Sequence, residues 1–454
     1  MLAFILKRIL LVIPTLLVVM IIAFFLSKFV PGDAADAMIS MQGIPVNSKI
    51  NHIEYKKYYQ QLNLDKPTFY FSIIPDFYPE NINAVVDKTD REQFLRFLRQ
   101  SIPFNQANGY LNQRDSWLHT VDTSNSKIPV DTLSYLKSTL SFETDLTKLE
   151  KLLPLLSTSS ESSLAQAIEN MSSHRIRYYF PKFYWHGVNN QFHLWVSSLL
   201  QGNMGVSIKD GRPIATKIID ALRWTLLLSF LNVVVSILIA LPIGLWAGHK
   251  NGGKFDRVTG VFWLLMYAIP VFWLASMLII YCTSNRFSSL LDIFPTPGNW
   301  YLAPDQSFFK SALQYGYQLI LPVICLAAND IAQISRIVRN NVITQKSKPY
   351  ILMAKALGQS DEYILFKQIL PNVTLPMITL IGGKFVGGMA GAILIEVIFN
   401  IPGVGRLMYE SITNADWFVV FGILLIISLV TIVVMLLTDI LYAIANPKIK
   451  MASL

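Results

Sequence analysis

Cysteine and charge are both scarce in this chain, and each scarcity removes a class of protein. The two cysteines, Cys282 and Cys325, fall inside or beside apolar runs. They offer neither a disulfide framework nor a metal-ligand spacing, and both read as small buried hydrophobes. Charged residues make up 15% of the 454 positions, against roughly a quarter in soluble domains. There is no Gly-x-x-x-x-Gly-Lys-Ser/Thr. "GGKFDRVTG" has glycines and a lysine without the order that cradles nucleotide phosphates. There is no HExxH either. His52, His119, His174, His186 and His193 share one long segment between apolar runs, and His249 sits in a short connection. No paired catalytic constellation supports an intramembrane enzyme.

Apolar sequence is what the chain has in abundance: 53% of it is hydrophobic. Several runs reach the ~20 residues that carry a helix across a bilayer core of about 30 Å. Six spans are expected, at Ile9 to Val30, Trp224 to Gly248, Val258 to Cys282, Leu313 to Ile334, Leu375 to Phe399 and Val419 to Ala445. The first has a competing reading as a signal peptide, with Ala35-Asp36-Ala37 as its cleavage site. Its core is longer than the ~7–15 residues of a signal h-region, which favours a retained span. The net charge of +9 would suit nucleic acid only if it formed a stripe. The basic residues sit beside apolar runs instead, so the expected partner is the lipid bilayer.

Orientation follows from those basic residues. Lys7 and Arg8 precede the first span, and Lys250, Lys254 and Arg257 follow the second. Arg336, Arg339, Lys346, Lys348, Lys355 and Lys367 follow the fourth, and Lys448 and Lys450 the sixth. With alternating spans all of these lie on one side, which the positive-inside bias makes the cytoplasm. Both termini are expected there. The fold class is therefore an all-α polytopic membrane protein of six helices.

The organisation expected is residues 1–30 as cytoplasmic N-terminus and first span, 31–223 outside the cytoplasm, 224–445 as the core, and 446–454 as a cytoplasmic tail. The outer segment is too long for a simple loop. Leu133, Leu136 and Leu140 recur at helical spacing, as do Leu146, Leu149, Leu152 and Leu153 before Pro154. Thr147 and Glu150 have capping-box spacing. Trp117, Tyr178, Tyr179, Tyr184 and Trp185 suit a small core or the headgroup level. A mostly helical subdomain is expected here.

One stretch is out of keeping with its surroundings. "MAKALGQSDEYILFKQILPN", Met353 to Asn372, places Lys355, Asp361, Glu362 and Lys367 between two long apolar runs. Small Ala354 and Ala356, the helix-breaking Gly358 and the Leu370-Pro371 step predict two short helices with a turn, open to close approach by another surface. An ordinary basic loop anchoring the topology is the competing reading.

The longer stretch "YILMAKALGQSDEYILFKQILPN" resembles the cytoplasmic EAA loop of permease subunits of binding-protein-dependent ABC importers. Gly358 and Leu370-Pro371 have the family spacing, while Leu352 and Met353 replace its leading Glu-Ala. Tyr350-Ile351, Ala354-Lys355-Ala356 and Gly358 fit the dipeptide/oligopeptide/nickel branch. So do Arg8, Pro14, Thr15, Phe25 and Pro31-Gly32-Asp33, "LNLDKP", "LLQGNMGVSIKDGRPI", "AIPVFW", "ILPVICLA", "EVIFNIPGVGRL" and "TDILYAIANPKIK". By the same resemblance, about 70–193 is an additional outer insertion.

The resemblance implies a transport permease, not an enzyme. It would bind no cofactor itself, with ATP and Mg on partner chains. Its partners would be a second homologous permease, two cytoplasmic ABC ATPases and an extracytoplasmic substrate-binding protein. ATPase coupling would fall to the loop at 335–374, through Tyr350, Ala354, Lys355, Ala356, Gly358, Leu370 and Pro371. The solute would be a peptide or a related small molecule. An ion-coupled secondary transporter is the alternative, although such folds usually show internal repeats and the six unequal spans show none.

Within the spans, Gly383, Gly387 and Gly391 repeat every four positions, a face suited to close helix contact. Lys384 lies several turns from either end of the fifth span, where a charge is costly and faces a cavity or a partner. Snorkelling towards the cytoplasm and pairing with Asp330 are both open, with pairing preferred to solute contact. Glu396 and Asp439 lie near span ends, matching family carboxylates. A solvated interface position accounts for them equally well.

Overall fold

The computed structural model describes residues 2–29, 34–41, 49–120, 130–156, 162–173, 180–283, 293–298, 300 and 308–445. Pro31-Gly32-Asp33, His174, Tyr178, Tyr179, Lys448, Lys450 and the 446–454 tail lie outside the described residues. The chain forms two compact units, Pro31–Asn203 and the remainder, Met1–Val30 with Met204–Leu454.

The Pro31–Asn203 unit contains helices α2 (Ala34–Met41), α3 (Lys49–Gln61), α4 (Lys88–Arg99), α5 (Phe104–Thr120), α6 (Val130–Phe142), α7 (Leu146–Glu150), α8 (Leu153–Leu156), α9 (Ser162–Ser173) and α10 (Gln191–Leu200). It also contains two strands that the sequence reading did not anticipate, β1 (Phe71–Pro75) and β2 (Pro181–Trp185). They pair antiparallel with Phe71 opposite Trp185 and Pro75 opposite Pro181. Everything from α4 to α9 thus leaves and returns through this two-stranded neck. The leucine spacing marks the core correctly: Leu133, Leu136, Leu140, Leu146, Leu149 and Leu152 are buried with Phe97, Tyr110, Trp117 and Ile168. Trp185 instead stands exposed on β2. The expected capping box is replaced by Asp145, whose Oδ1 accepts from the Thr147 amide at 3.0 Å. The cap lies two residues before Thr147, so the helix begins at Leu146.

The second unit is built from α1 (Leu2–Phe29), α11 (Ile214–His249), α12 (Lys254–Ala268), α13 (Val271–Cys282), α14 (Phe308–Lys346), α15 (Pro349–Ala356), α16 (Asp361–Tyr363), α17 (Leu370–Ile398), α18 (Val404–Thr413) and α19 (Trp417–Ala445). Among the described residues, five helical stretches are long and apolar enough to cross a bilayer, and six if a bent pair counts as one. The pair is α12 with α13, bent by 93°. This corrects the expectation of one unbroken helix from Val258 to Cys282. Proline disfavours helical backbone in the residue before it, and Ile269 is extended (φ −80, ψ 122) ahead of Pro270.

The two ends of the bent pair are anchored at different heights on α14. At the start of α12, the Arg339 guanidinium donates to both carboxylate oxygens of Asp256, at 2.5 and 2.8 Å. Past the end of α13, the Phe294 amide donates to the Cys282 carbonyl at 2.9 Å, and the Phe294 ring stacks on Tyr317 at 5.3 Å.

The most extensive described helix contact joins α11 to α14, and it is close. A Cβ on Gly244 would stand 2.6 Å from the Ser335 carbonyl oxygen and the Val338 Cβ, and one on Gly248 would stand 2.7 Å from the Val342 Cβ. Only glycine allows backbones this close. The stripe expected to do this, on α17, does not do so within the chain. Among the described residues, Gly383 and Gly387 have nothing within 4 Å, while their neighbours Gly382 and Gly388 face Thr438 and Ser229. The surroundings of Gly391 lie outside the described residues.

Candidate functional site

The segment between α14 and α17 has its own architecture. Pro349 opens α15, where its missing N–H removes no bond. Ile351 and Ala354 point into a core shared with Val338 and Val342 of α14, Val373 and Met377 of α17, and Leu245 of α11. The helix ends at Gly358, φ +76. The Gly358 amide donates to the Lys355 carbonyl at 2.9 Å and the Gln359 amide to the Ala354 carbonyl at 3.2 Å. These are the paired bonds of a Schellman stop, which requires left-handed backbone at its turn. Ser360 caps the next helix, its Oγ accepting from the Tyr363 amide.

The second leg does not end at Leu370-Pro371 as the spacing predicted. A π-helical turn, Ile364–Ile369, leads straight into α17, with Pro371 in its first turn. The wider turn accommodates a residue that cannot donate, which is a usual setting for π-bulges.

Lys355 and Asp361 pair across the turn at 3.6 Å. The Tyr350 hydroxyl donates to Gln345 Oε1 of α14 and accepts from Asn372 Nδ2 of α17, tying the two ends together. Tyr350, Lys355, Ala356 and Gly358 are exposed and Ala354 is buried. What the sequence reading missed is the apolar character of the exposed face. Leu352, Met353, Leu357, Tyr363 and Phe366 are each half or more uncovered. Their signal was a helical segment with more large apolar residues than its buried face needs.

Two clusters hold charge between the long helices, the first part-buried and the second fully buried. Lys384 Nζ on α17 donates to Asp330 Oδ1 at 2.7 Å and Gln333 Oε1 at 2.6 Å, both on α14. Asp330 Oδ2 accepts from Asn232 Nδ2 of α11 at 2.8 Å, and Asn232 Oδ1 accepts from Ser236. Near the other end of α17, Glu396 is fully buried, which corrects the solvated position considered for it. Its Oε1 accepts from Thr225 Oγ1 at 2.7 Å and its Oε2 from the Arg406 amide at 3.0 Å. The Thr225 hydroxyl in turn accepts from the Val404 amide at 2.8 Å. Glu396 and Thr225 therefore satisfy the open N–H groups at the start of α18, where a carboxylate also suits the helix dipole. Gly403 and Gly405 lack side chains where the carboxylate lies. The structure does not bring Glu396 together with the Lys384–Asp330 pair. No group of His, Cys, Asp and Glu that would hold a metal is found among the described residues.

Residues 240–451 match the model of the "binding-protein-dependent transport system inner membrane component" family. The chain is 32% identical over 260 residues to the probable peptide ABC transporter permease protein y4tP of Sinorhizobium fredii, covering 57% of this chain and 80% of that protein. It is also 32% identical to the oligopeptide transport system permease protein AppB of Bacillus subtilis, covering 57% of this chain and 80% of that one. A solved structure of the inward-facing MetNI methionine ABC transporter matches with 15% identity and a TM-score of 0.38, over 50% of this chain and 96% of that chain. Apolar helices and relatives matched across four-fifths of their length agree, and the chain belongs to this family of ABC importer permeases.

Proposed function

We propose that this chain is one permease subunit of an ATP-driven importer, forming half of a pathway for peptides or related small solutes. A binding protein delivers the solute outside the bacterial cytoplasmic membrane. Two separate ATPases, which hold ATP and Mg, drive alternating access, and a second homologous permease completes the pathway.

One observation carries this reading: the 346–370 segment is rigidly rooted and outwardly apolar. Its inner face shares a core with α11, α14 and α17, while Leu352, Met353, Leu357 and Phe366 face away from the chain. Four such side chains in water would be a liability for a lone subunit. They suit the groove of a partner that pushes on both attached helices.

The anchoring of the bent pair supports six crossings. Tyr317 and Arg339 lie 22 positions apart on α14, about 33 Å at 1.5 Å per residue. The start and end of α12–α13 are fixed at those two heights, and the bilayer core is about 30 Å thick. With six crossings, the positive-inside bias of the basic residues supports both termini and the 346–370 segment being cytoplasmic. Residues 31–223 then lie outside, with the α4–α9 bundle as an inserted subdomain.

The test is reconstitution in proteoliposomes with the partner permease, the ATPases and the binding protein. ATP hydrolysis is expected to rise on delivery of loaded binding protein, and peptide uptake to require ATP. Uptake that continues undiminished without the ATPases, driven by an ion gradient, would refute this reading in favour of a secondary transporter.

A further inference from the structure

We propose that the Lys384–Asp330 pair clamps α14 and α17 into a single lever, so that displacement at the 346–370 segment reaches mid-membrane undivided. This rests on the reading of that segment as the place where the ATPases push.

The two helices leave the segment from its opposite ends. Asp330 lies 16 positions before Lys346 on α14, and Lys384 lies 14 positions after Leu370 on α17. At 1.5 Å per residue these are about 24 and 21 Å, so the charges meet at matching distances from the segment. Nearer the segment, Ile331, Ile334 and Val338 of α14 share one apolar core with Val373 and Met377 of α17. Farther from it, Leu321 and Cys325 share another with Ala392 and Ile395. The ion pair lies between these two cores.

Apolar contacts in a bilayer tolerate sliding, because lipid tails replace a departing neighbour at little loss. A charge-assisted hydrogen bond does not tolerate it. Moving one helix past the other would leave an ammonium or a carboxylate in hydrocarbon without its counter-charge. The network limits rotation too, since the Lys384 ammonium also donates to Gln333 and Asn232 holds the second Asp330 oxygen from α11. Relative motion is therefore directed elsewhere. The Ile269–Pro270 break between α12 and α13, where helical hydrogen bonding is already interrupted, is suited to take it.

The experiment uses the assembled complex in proteoliposomes and reads solute taken up per ATP hydrolysed, with KM and maximal rate separately. Lys384→Met and Asp330→Asn are each expected to lower uptake per ATP by about fivefold or more at unchanged KM. The exchange Asp330→Lys with Lys384→Asp is expected to recover most of it. Asp330→Leu with Lys384→Met supplies a packed apolar pair that assembles normally and is expected to remain uncoupled. Normal uptake per ATP in the single variants overturns the clamp. So does full recovery by the apolar pair, or an exchange no better than the single variants. A raised KM at unchanged maximal rate overturns it by assigning Lys384 to solute contact. Failure of the unmodified complex to couple uptake to ATP would instead strike the permease reading itself.

Discussion

Replacing Gly244 or Gly248 with alanine adds one methyl group at a place where the chain has no room for it. Ordinary contact begins at 3.4 Å, and the Gly244 methyl would stand 2.6 Å from the Ser335 carbonyl oxygen and 2.6 Å from the Val338 Cβ. The shortfall is about 0.8 Å, and the obstacles are backbone and a β-branched side chain at its stem, which cannot rotate away. Parting α11 from α14 is the remaining relief, and it loosens dispersion contacts along the whole seam. Overpacking of this kind costs about 1–3 kcal/mol. The two substitutions should add to less than their sum, because helices parted for one methyl already make room for the other one turn away.

The control is the other glycine stripe. With no described residue within 4 Å of Gly383 or Gly387, alanine at either should leave the isolated chain unchanged or gain up to about 1 kcal/mol of helix propensity. The assay is unfolding of the purified chain in mixed micelles by added SDS, followed by far-UV circular dichroism. Gly244→Ala and Gly248→Ala should each lower the midpoint clearly, and Gly383→Ala and Gly387→Ala should not. Equal losses at both stripes, or losses at Gly383 and Gly387 alone, would refute the assignment of the close contact to α11 and α14.

Three further outcomes are expected. Gly358→Val places a β-branched residue at φ +76, a strain of at least about 1–2 kcal/mol; it should uncouple uptake from ATP hydrolysis without altering membrane insertion, both read in the reconstituted complex. Glu396→Ala leaves the Arg406 amide and the Thr225 hydroxyl without their acceptor, a loss of about 1–3 kcal/mol. Glu396→Gln, which keeps an acceptor, should lose less, and protease cleavage between Asn400 and Arg406 reports both. Glu143 accepts from the Asp145 and Thr144 amides and from Lys148, holding its carboxyl below the ordinary value. A depressed native pKa contributes stability that is present above the unfolded value, about 4.3, and is lost as pH falls through the native one. Protection of the α7 amides, taken relative to intrinsic exchange at each pH, should therefore fall in acid below about pH 4, and Glu143→Gln should weaken that pH dependence.

The spans were legible because about 20 apolar residues in a row have one physical explanation in this kind of chain. Their ends were not, because α11 starts at Ile214 and α14 runs on to Lys346, where the lipid no longer selects apolar residues and the pattern fades while the helix continues. Proline could not locate the one sharp bend. Pro14, Pro242, Pro322 and Pro376 sit inside continuous helices, whereas Ile269 before Pro270 leaves the helical region and bends the pair. Glycine spacing failed for a related reason. Ser236, Ala240, Gly244 and Gly248 repeat every four positions as regularly as Gly383, Gly387 and Gly391, and spacing describes a face without naming what lies against it.

The buried carboxylate makes the same point more sharply. Glu396 lies at the end of an apolar run, and one-dimensional reasoning puts such a residue at the water interface. Its cover comes from Gly403 and Gly405, which turn back over it, and from Thr225, far away in sequence on α11. A helix-end carboxylate is solvated only if the chain departs from it. When the departing chain reverses within a few residues and presents bare backbone amides, the same carboxylate becomes an anchor. The two glycines in "IPGVGRL" break a helix, which describes their effect on the chain. Their closeness to the carboxylate points to a further role, as the space in which Glu396 can hold α18 in place.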